Sequence, residues 1–270
     1  MKRFQGQVAV ITGASAGIGE SCARKMVAEG AKVVLAARGA EALERLAAEL
    51  GHDVAHAAPT DVADQGSCER LLEEAKSKFG PVDVLVNNAG FNSRGALKDV
   101  PVEEMLQVLD VNLRGPMLLT RLALPDMLSR GSGSIVGVAS LAGRIPLEDE
   151  ASYSATKFGL RAFSFALADE LRDTGVKVSV VSPGPVETGF IIDSIDEVPD
   201  IVFSQPMSTA DEIADMVLDC AIDGRRERVK PVMGARLATL GYLMPAMRRV
   251  LKPRLEAKGR KEKEKYRSKR

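Results

Sequence analysis

Histidine is almost missing. His52 and His56 are the only two in 270 residues, and they share one short segment in which they alternate with Ala and Val, as strand positions do. Zinc ligation and Ser-His-Asp hydrolysis therefore lack their usual residues, and no metal is expected. Cysteine is scarce as well. Cys22, Cys68 and Cys220 lie far apart with no CxxC pair, a set that fits a reducing, cytoplasmic compartment better than a disulfide framework. Aromatic residues make up only 4%, and no recognised nucleic-acid-binding pattern is present, so no nucleic-acid partner is expected. The longest late apolar stretch, residues 237–247, is too short to span a bilayer. A strand that begins near Gln7 leaves no room for an ordinary signal peptide ahead of it. Net charge is zero, but it is unevenly placed. Residues 248–270 hold 12 Lys/Arg and 3 Glu, so an acidic body carries a basic tail.

The chain does have enough apolar residues, 45%, to bury one large α/β core. Short apolar runs at Val8–Thr12, Lys32–Ala37, 53–57, 82–86, 133–139, 176–181 and, weakly, 229–233 read as strands. Several are unbroken Val/Leu/Ile/Ala runs, as strands covered on both faces require. Helical periodicity occupies 18–29, Ala40–Leu50, 67–78 and 102–113. This alternation predicts a Rossmann-type, doubly wound parallel sheet of about seven strands in a single domain, residues 5–235. Thr209-Ala-Asp-Glu212 reads as a capping box that opens one more helix. Residues 189–208, weakly periodic with two prolines, are expected to form a mobile loop or short helices over the site. The helix at 151–173 carries Phe158, Leu160, Phe163, Phe165 and Leu167 around most of its circumference. A helix that covers one sheet needs only one apolar stripe, so its outer face is expected to meet another subunit.

The first strand runs straight into Thr12-Gly-Ala-Ser-Ala-Gly-Ile-Gly19. Glycines at a strand-to-helix turn let the backbone approach a ligand, and the helix start favours a pyrophosphate. The spacing is GxxxGxG, not GxGxxG, so a plain tight turn stays open at this point. The second strand ends in Ala36-Ala37-Arg38, where a carboxylate would mark a free ribose hydroxyl. A guanidinium there suits a ribose 2′-phosphate and points to NADP(H), against the alternative of a solvated helix-start arginine. Asp61-Val62 and Asn87-Asn88-Ala89-Gly90 follow the third and fourth strands, at the edge where open α/β sheets bind ligands. Ser140 follows the fifth strand, and Tyr153 and Lys157 share one face of the next helix. A phenol beside an ammonium and a serine hydroxyl can hand a proton to the alkoxide left by hydride transfer, the ammonium being expected to lower the phenol's pKa.

In order and spacing these motifs resemble the short-chain dehydrogenase/reductase family. They are the TGxxxGIG turn at 12–19, NNAG at 87–90, Ser140 thirteen residues before Tyr153-Ser-Ala-Thr-Lys157, and Pro183-Gly184-Pro-Val186-Glu-Thr188 after the sixth strand. The likeness spans roughly residues 5–235. It implies a catalytic set of Asn112, Ser140, Tyr153 and Lys157, with Tyr153 as acid/base, Lys157 also on the nicotinamide ribose, and Asn112 holding a relay water. It implies cofactor contacts at Gly13, Ser15, Gly17, Ile18, Gly19, Asp61, Val62, Asn88, Ala89, Gly90, Pro183, Gly184, Val186 and Thr188, joined by Arg38. It also implies homodimers or homotetramers. Two departures stand out. Ala16 occupies a place where NADP-preferring members often have Arg or Lys, which keeps NAD(H) open beside NADP(H). The extension at 236–270 continues beyond the family core, which does not explain it.

Pro245 and Pro253 should interrupt any long helix in that extension. The extension is expected to be helical and partly disordered, and three readings compete for it: a disordered solubilising tail, a membrane-surface element, and a dock on another subunit. The segments 91–97, 141–150 and 189–208 are the candidate pocket walls, and Leu141, Ile145, Leu147, Phe190, Ile191 and Ile192 suggest an apolar pocket for a carbonyl or alcohol substrate of lipid-, steroid- or ketoacyl-like character, with a place outside it left open for Glu148, Asp149 and Glu150. A nicotinamide-binding regulator or scaffold without turnover is the alternative to an enzyme.

Overall fold

A computed structural model describes residues 2–268. The first half of the chain gives β1 (Val8–Thr12), α1 (Gly17–Ala28), β2 (Lys32–Ala37), α2 (Ala40–Leu50), β3 (Ala55–Pro59), α3 (Gln65–Phe79), β4 (Val84–Asn87), α4 (Val102–Leu109) and α5 (Gly115–Arg130). It continues through β5 (Gly133–Val138), α6 (Ala151–Glu170), β6 (Val176–Pro183), β7 (Val186–Glu187), α7 (Gly189–Ile192) and β8 (Ser208–Thr209). α8 (Ala210–Asp223), β9 (Glu227–Lys230), α9 (Val232–Leu243) and α10 (Pro245–Arg267) complete it.

Seven parallel strands form the sheet in the order β3-β2-β1-β4-β5-β6-β9. The central strands β1 and β4 are buried along their whole length, which is why they read as unbroken apolar runs. Two apolar clusters fill the two faces. One packs Ile11, Val33, Leu35 and Val86 against α1, α2 and α8. The other packs Val10, Val34, Leu85 and Ile135 against α3, α5 and α6. Strand order reverses at β1, whose neighbours are β2 and β4, so a crevice opens at the carboxyl ends of those strands.

Several boundaries move. β3 and β4 each begin two residues later than their apolar runs suggest, because residues 52–54 form a turn and Asp83 instead accepts a hydrogen bond from Val8 N with its carboxylate (2.9 Å). His52 therefore sits in a turn and only His56 in a strand. The last strand is Glu227–Lys230, since Pro231 starts the approach to α9. The predicted capping box is present, with Thr209 Oγ1 accepting from Glu212 N (3.2 Å) and Glu212 Oε2 accepting from Thr209 N (3.0 Å).

The extension departs most from expectation. α10 runs unbroken through Pro253 to Arg267, and among the described residues no part of it is without helix or turn structure beyond Leu243 except Met244. Pro253 removes the donor that would reach Arg249 O, but both residues are exposed, so water can satisfy that carbonyl. Pro245 falls at the helix start, where a missing N–H costs nothing. No helix among the described residues is long and apolar enough to cross a membrane.

The apolar circumference of α6 also has a cause within the chain. Phe158 packs on Tyr242 (ring centres 5.4 Å apart), and Phe165 lies between the guanidinium groups of Arg161 and Arg226 (4.5 and 4.6 Å). Its exposed positions are a row of small residues, Ala151, Ala155, Ala162 and Ala166, followed by Asp169 and Glu170.

Candidate active site

The crevice between β1 and β4 is tied shut at its base. Thr12 Oγ1 donates to Val86 O (3.2 Å) and accepts from Asn88 N and Ala89 N (both 3.0 Å). Asn88 Nδ2 donates back to Thr12 O (2.9 Å) and Gly13 O (3.2 Å). Asn87, in the same motif, points the other way and donates to Thr120 Oγ1 (3.1 Å). The double asparagine thus fixes the strand ends on which the glycine turn rests.

That turn forms a cradle that side chains would fill. A Cβ at Gly19 would lie 2.2 Å from Gly13 O, and Gly13 itself has φ +65°. Ala16 precedes α1 and offers no side-chain cap, so the first N–H groups of a twelve-residue helix are left for an external acceptor. The residues present therefore fit a dinucleotide pyrophosphate.

From the turn, one cavity of about 750 Å³ extends past the ends of β4, β5 and β6. Gly13, Ser15, Gly17 and Ile18 form its first wall, and Asn88, Ala89 and Gly90 its floor. Pro183, Gly184, Val186 and Thr188 close the other side, where Thr188 packs against the glycine turn. Ser140, Tyr153 and Lys157 stand in the middle. Of the sequence candidates, Gly19, Asn112, Arg38, Asp61 and Val62 lie outside this cavity. Gly19 backs the turn. Arg38 and Asp61 are exposed and Val62 buried at the ends of β2 and β3, further along the same edge of the sheet.

The central group is well ordered by its surroundings. Ser140 Oγ accepts from Ala142 N (3.1 Å) and is hydrogen-bonded to the Tyr153 hydroxyl. Lys157 Nζ donates to Val138 O (2.9 Å) and lies 5.5 Å from the centre of the Tyr153 ring. Asn112 sits in one π-helical turn, Asp110–Arg114, between α4 and α5. It is buried, its Oδ1 accepting from Phe91 N (3.0 Å) and its Nδ2 donating to Phe91 O (2.8 Å) and Thr156 Oγ1 (3.3 Å). Asn112 Oδ1 and Lys157 Nζ face the same point over Gly90, at 3.1 and 3.5 Å from where a side chain there would begin.

The electrostatics correct one expectation. Burial pushes the Tyr153 phenol well above its usual range, Glu150 adds to this, and the Ser140 hydrogen bond and Arg94 act only in the opposite, smaller sense. Burial likewise brings Lys157 down to about 8. Burial is the dominant influence on both groups, raising the phenol and lowering the ammonium. At neutral pH burial therefore favours the protonated phenol.

Two charged residues of the candidate pocket segments 91–97 and 141–150 meet in the site, a pairing that the sequence does not reveal. Glu150, left open as a residue outside the pocket, lines it and is 3% exposed. It pairs with Arg94 (3.3 Å), and burial raises its carboxyl pKa against the pull of that guanidinium. Arg94 also donates to Ser194 Oγ (2.6 Å) and Phe190 O (3.2 Å), so this pair pins α7 beside Tyr153. Leu141, Ile145, Leu147, Phe190 and Ile191 line the cavity as expected, and Ile192 does not. Glu148 lies outside the lining, ion-paired with Lys252, which does line the cavity. Among the described residues no cluster of potential metal ligands exists, and Cys22, Cys68 and Cys220 are buried free thiols.

Sheet topology, glycine cradle and the serine–tyrosine–lysine group together define a nucleotide-cofactor oxidoreductase of the doubly wound α/β class. Residues 7–197 match the family model described as short chain dehydrogenase, and the chain belongs to that family. An uncharacterized oxidoreductase of Staphylococcus aureus strain USA300 is 40% identical over 182 residues, covering 67% of this chain and 79% of that protein. Dehydrogenase/reductase SDR family member 7B of Rattus norvegicus is 37% identical over 196 residues, covering 70% of this chain and 60% of that protein. The protein is thus an oxidoreductase of CH-OH donors that uses an NAD(P)-type cofactor.

Proposed function

We propose that the protein reduces the carbonyl of an apolar substrate at the expense of NADPH, with Tyr153 as the proton donor. The observation that carries this reading is the Tyr153 hydroxyl, buried, hydrogen-bonded to Ser140 and held protonated, in a largely apolar cavity beside the glycine cradle. When bound, the nicotinamide supplies the hydride. Ser140 and Tyr153 hold the carbonyl oxygen, Tyr153 hands over its proton as charge develops there, and Lys157 with Asn112 returns a proton to Tyr153 through a water over Gly90. The glycine turn, Asn88–Gly90 and Pro183–Thr188 hold the cofactor, Asp61 and Val62 its adenine, and Arg38 its 2′-phosphate. The reaction is tested by following NADPH absorbance with a panel of ketones and aldehydes of graded apolarity. Binding of NADPH with no turnover across the panel would favour the scaffold reading instead.

Arg38→Asp tests the cofactor assignment. Loss of a charge-assisted bond to phosphate is worth about 1.5–3 kcal/mol, so Kd for NADPH should rise about 10- to 150-fold while Kd for NADH holds or falls. Equal NADPH affinity in both chains would remove Arg38 from the site.

A second feature favours contact with a lipid surface. At the corner between α9 and α10, Leu243 and Met244 are exposed, with Val250 exposed in the second turn of α10, Leu243 and Val250 at 69% and 72%. Arg249, Arg254 and Lys258 stand exposed on the helix that follows. Apolar side chains beside cations suit an anionic membrane face. Full-length protein should co-sediment with phosphatidylserine vesicles, and Leu243→Ser with Val250→Ser should cut the bound fraction severalfold. Negligible binding by the unaltered protein would dispose of the idea. The exposed alanine row of α6 is the surface on which a homodimer or homotetramer would form.

A further inference from the structure

The C-terminal helix does more than carry charge. It leaves the body at Pro245, runs along the cavity, and ends on the segment between α7 and β8. The contact there is close. A Cβ at Gly259 would fall 1.8 Å from Asp200 O, so only glycine fits. One turn on, Lys263 is buried at 5% exposure. Its ammonium donates to Val198 O (2.7 Å) and Asp196 O (3.3 Å) and lies 3.4 Å from the Asp200 carboxylate. Burying an ammonium is unfavourable unless its donors are used, and here they are. Arg260 with Asp200, Arg267 with Asp196, and the Tyr266 ring against Phe203 complete the attachment.

Between that attachment and Tyr153 lies the distal half of the same cavity. Leu251 and Leu255 of α10, Leu237 of α9, and Ile201 and Val202 of the 200–204 turn supply its walls. The cations Arg248 and Lys252 are drawn to its rim, Arg248 donating to Pro146 O (2.6 Å) and Lys252 pairing with Glu148. The wall facing away from the cofactor cradle is therefore aliphatic and is built largely by residues beyond 236.

We infer that this distal half is a subsite for an extended apolar chain attached to the reacting carbonyl, and that Leu251 and Leu255 set the chain length accepted. The inference rests on the carbonyl-reductase reading above and adds its substrate class. Lys263 acts as a positioning residue, keeping α10 at the spacing the chain requires.

Straight-chain methyl ketones from butanone to dodecanone test it. Each methylene buried contributes about fourfold to kcat/KM, so the unaltered protein should show a rise of more than about a hundredfold along the series. Leu251→Trp and, separately, Leu255→Trp should lower the dodecanone-to-butanone ratio at least tenfold. Lys263→Met should raise KM for dodecanone more than for butanone. Displacement of a fluorescent polyene fatty acid by dodecanone gives the same ranking without turnover, and thermal unfolding shows whether each variant is folded. A flat series with active butanone reduction would overturn the subsite and leave the reductase intact. Chain-length-dependent displacement without any reduction would overturn the reductase and leave the subsite. Ratios and displacement unchanged in both tryptophan variants would also overturn it.

Discussion

Tyr153→Phe is expected to lower carbonyl reduction about 10²- to 10⁴-fold, the usual worth of a positioned general acid, and to leave NADPH binding within about a factor of two of the unaltered protein. The substitution removes one oxygen and little else. The ring keeps its packing against Phe190, whose centre is 6.0 Å away, and the cation of Lys157 keeps its bond to Val138 O. Ser140 keeps the backbone contact that fixes its hydroxyl. The loss should therefore appear in kcat, with KM for the ketone changed far less. The direction of the phenol's shift adds a second expectation. With its pKa raised, Tyr153 is protonated throughout the neutral range, so reduction should be nearly flat from pH 6 to pH 7 and decline only as Lys157 gives up its proton near pH 8. Alcohol oxidation needs the phenolate, so its rate should climb with pH over the same interval. Reduction by Tyr153→Phe at the full rate would exclude the tyrosine as proton donor.

The parts of the molecule legible in sequence are those fixed by local rules. β1, β2 and α2 fall where periodicity put them because their residues are buried along the whole strand or along one helix face. The Ser140, Tyr153 and Lys157 cluster was legible because a strand end and one helical turn suffice to bring the three together. The Arg94–Glu150 pair was not. Its members lie 56 residues apart on irregular segments, and nothing in the local pattern says that either charge points inward. Where the helical extension seats is illegible for a related reason. Proline and a run of cations argue for solvent, yet the partners of Lys263, Arg260 and Arg267 are acidic and carbonyl groups some 60 to 71 residues earlier. Tertiary pairing overrides composition there. The phenol's pKa was misjudged because a helical wheel shows the neighbouring ammonium but not the depth at which both groups are buried.

Lys157→Met should separate activity from stability. The ammonium is central to the proposed proton return, so carbonyl reduction should fall about a hundredfold or more. Stability should move the other way at neutral pH. An unfolded lysine titrates at 10.5, and burial brings Lys157 to about 8 in the folded chain. Below pH 8 both states carry the charge, and the folded state bears its full desolvation. Between pH 8 and 10.5 the unfolded chain binds more protons, so the free energy of unfolding rises with pH, by about 3 kcal/mol across the window. Methionine carries no such charge, so the variant lacks that slope and is free of the burden at pH 7. Against this stands the Val138 carbonyl, left without its donor, which costs about 1–3 kcal/mol. The variant should then be at least as stable as the unaltered protein at pH 7 and less stable by pH 10. Paired thermal unfolding at the two values reads this directly, because other groups titrating in the window are common to both chains. A variant destabilised equally at pH 7 and pH 10 would show that Lys157 is not strained by burial. The tension has a chemical reason: a lysine that must exchange protons near neutrality has to be buried enough to let its proton go, and that same burial weakens the fold around it.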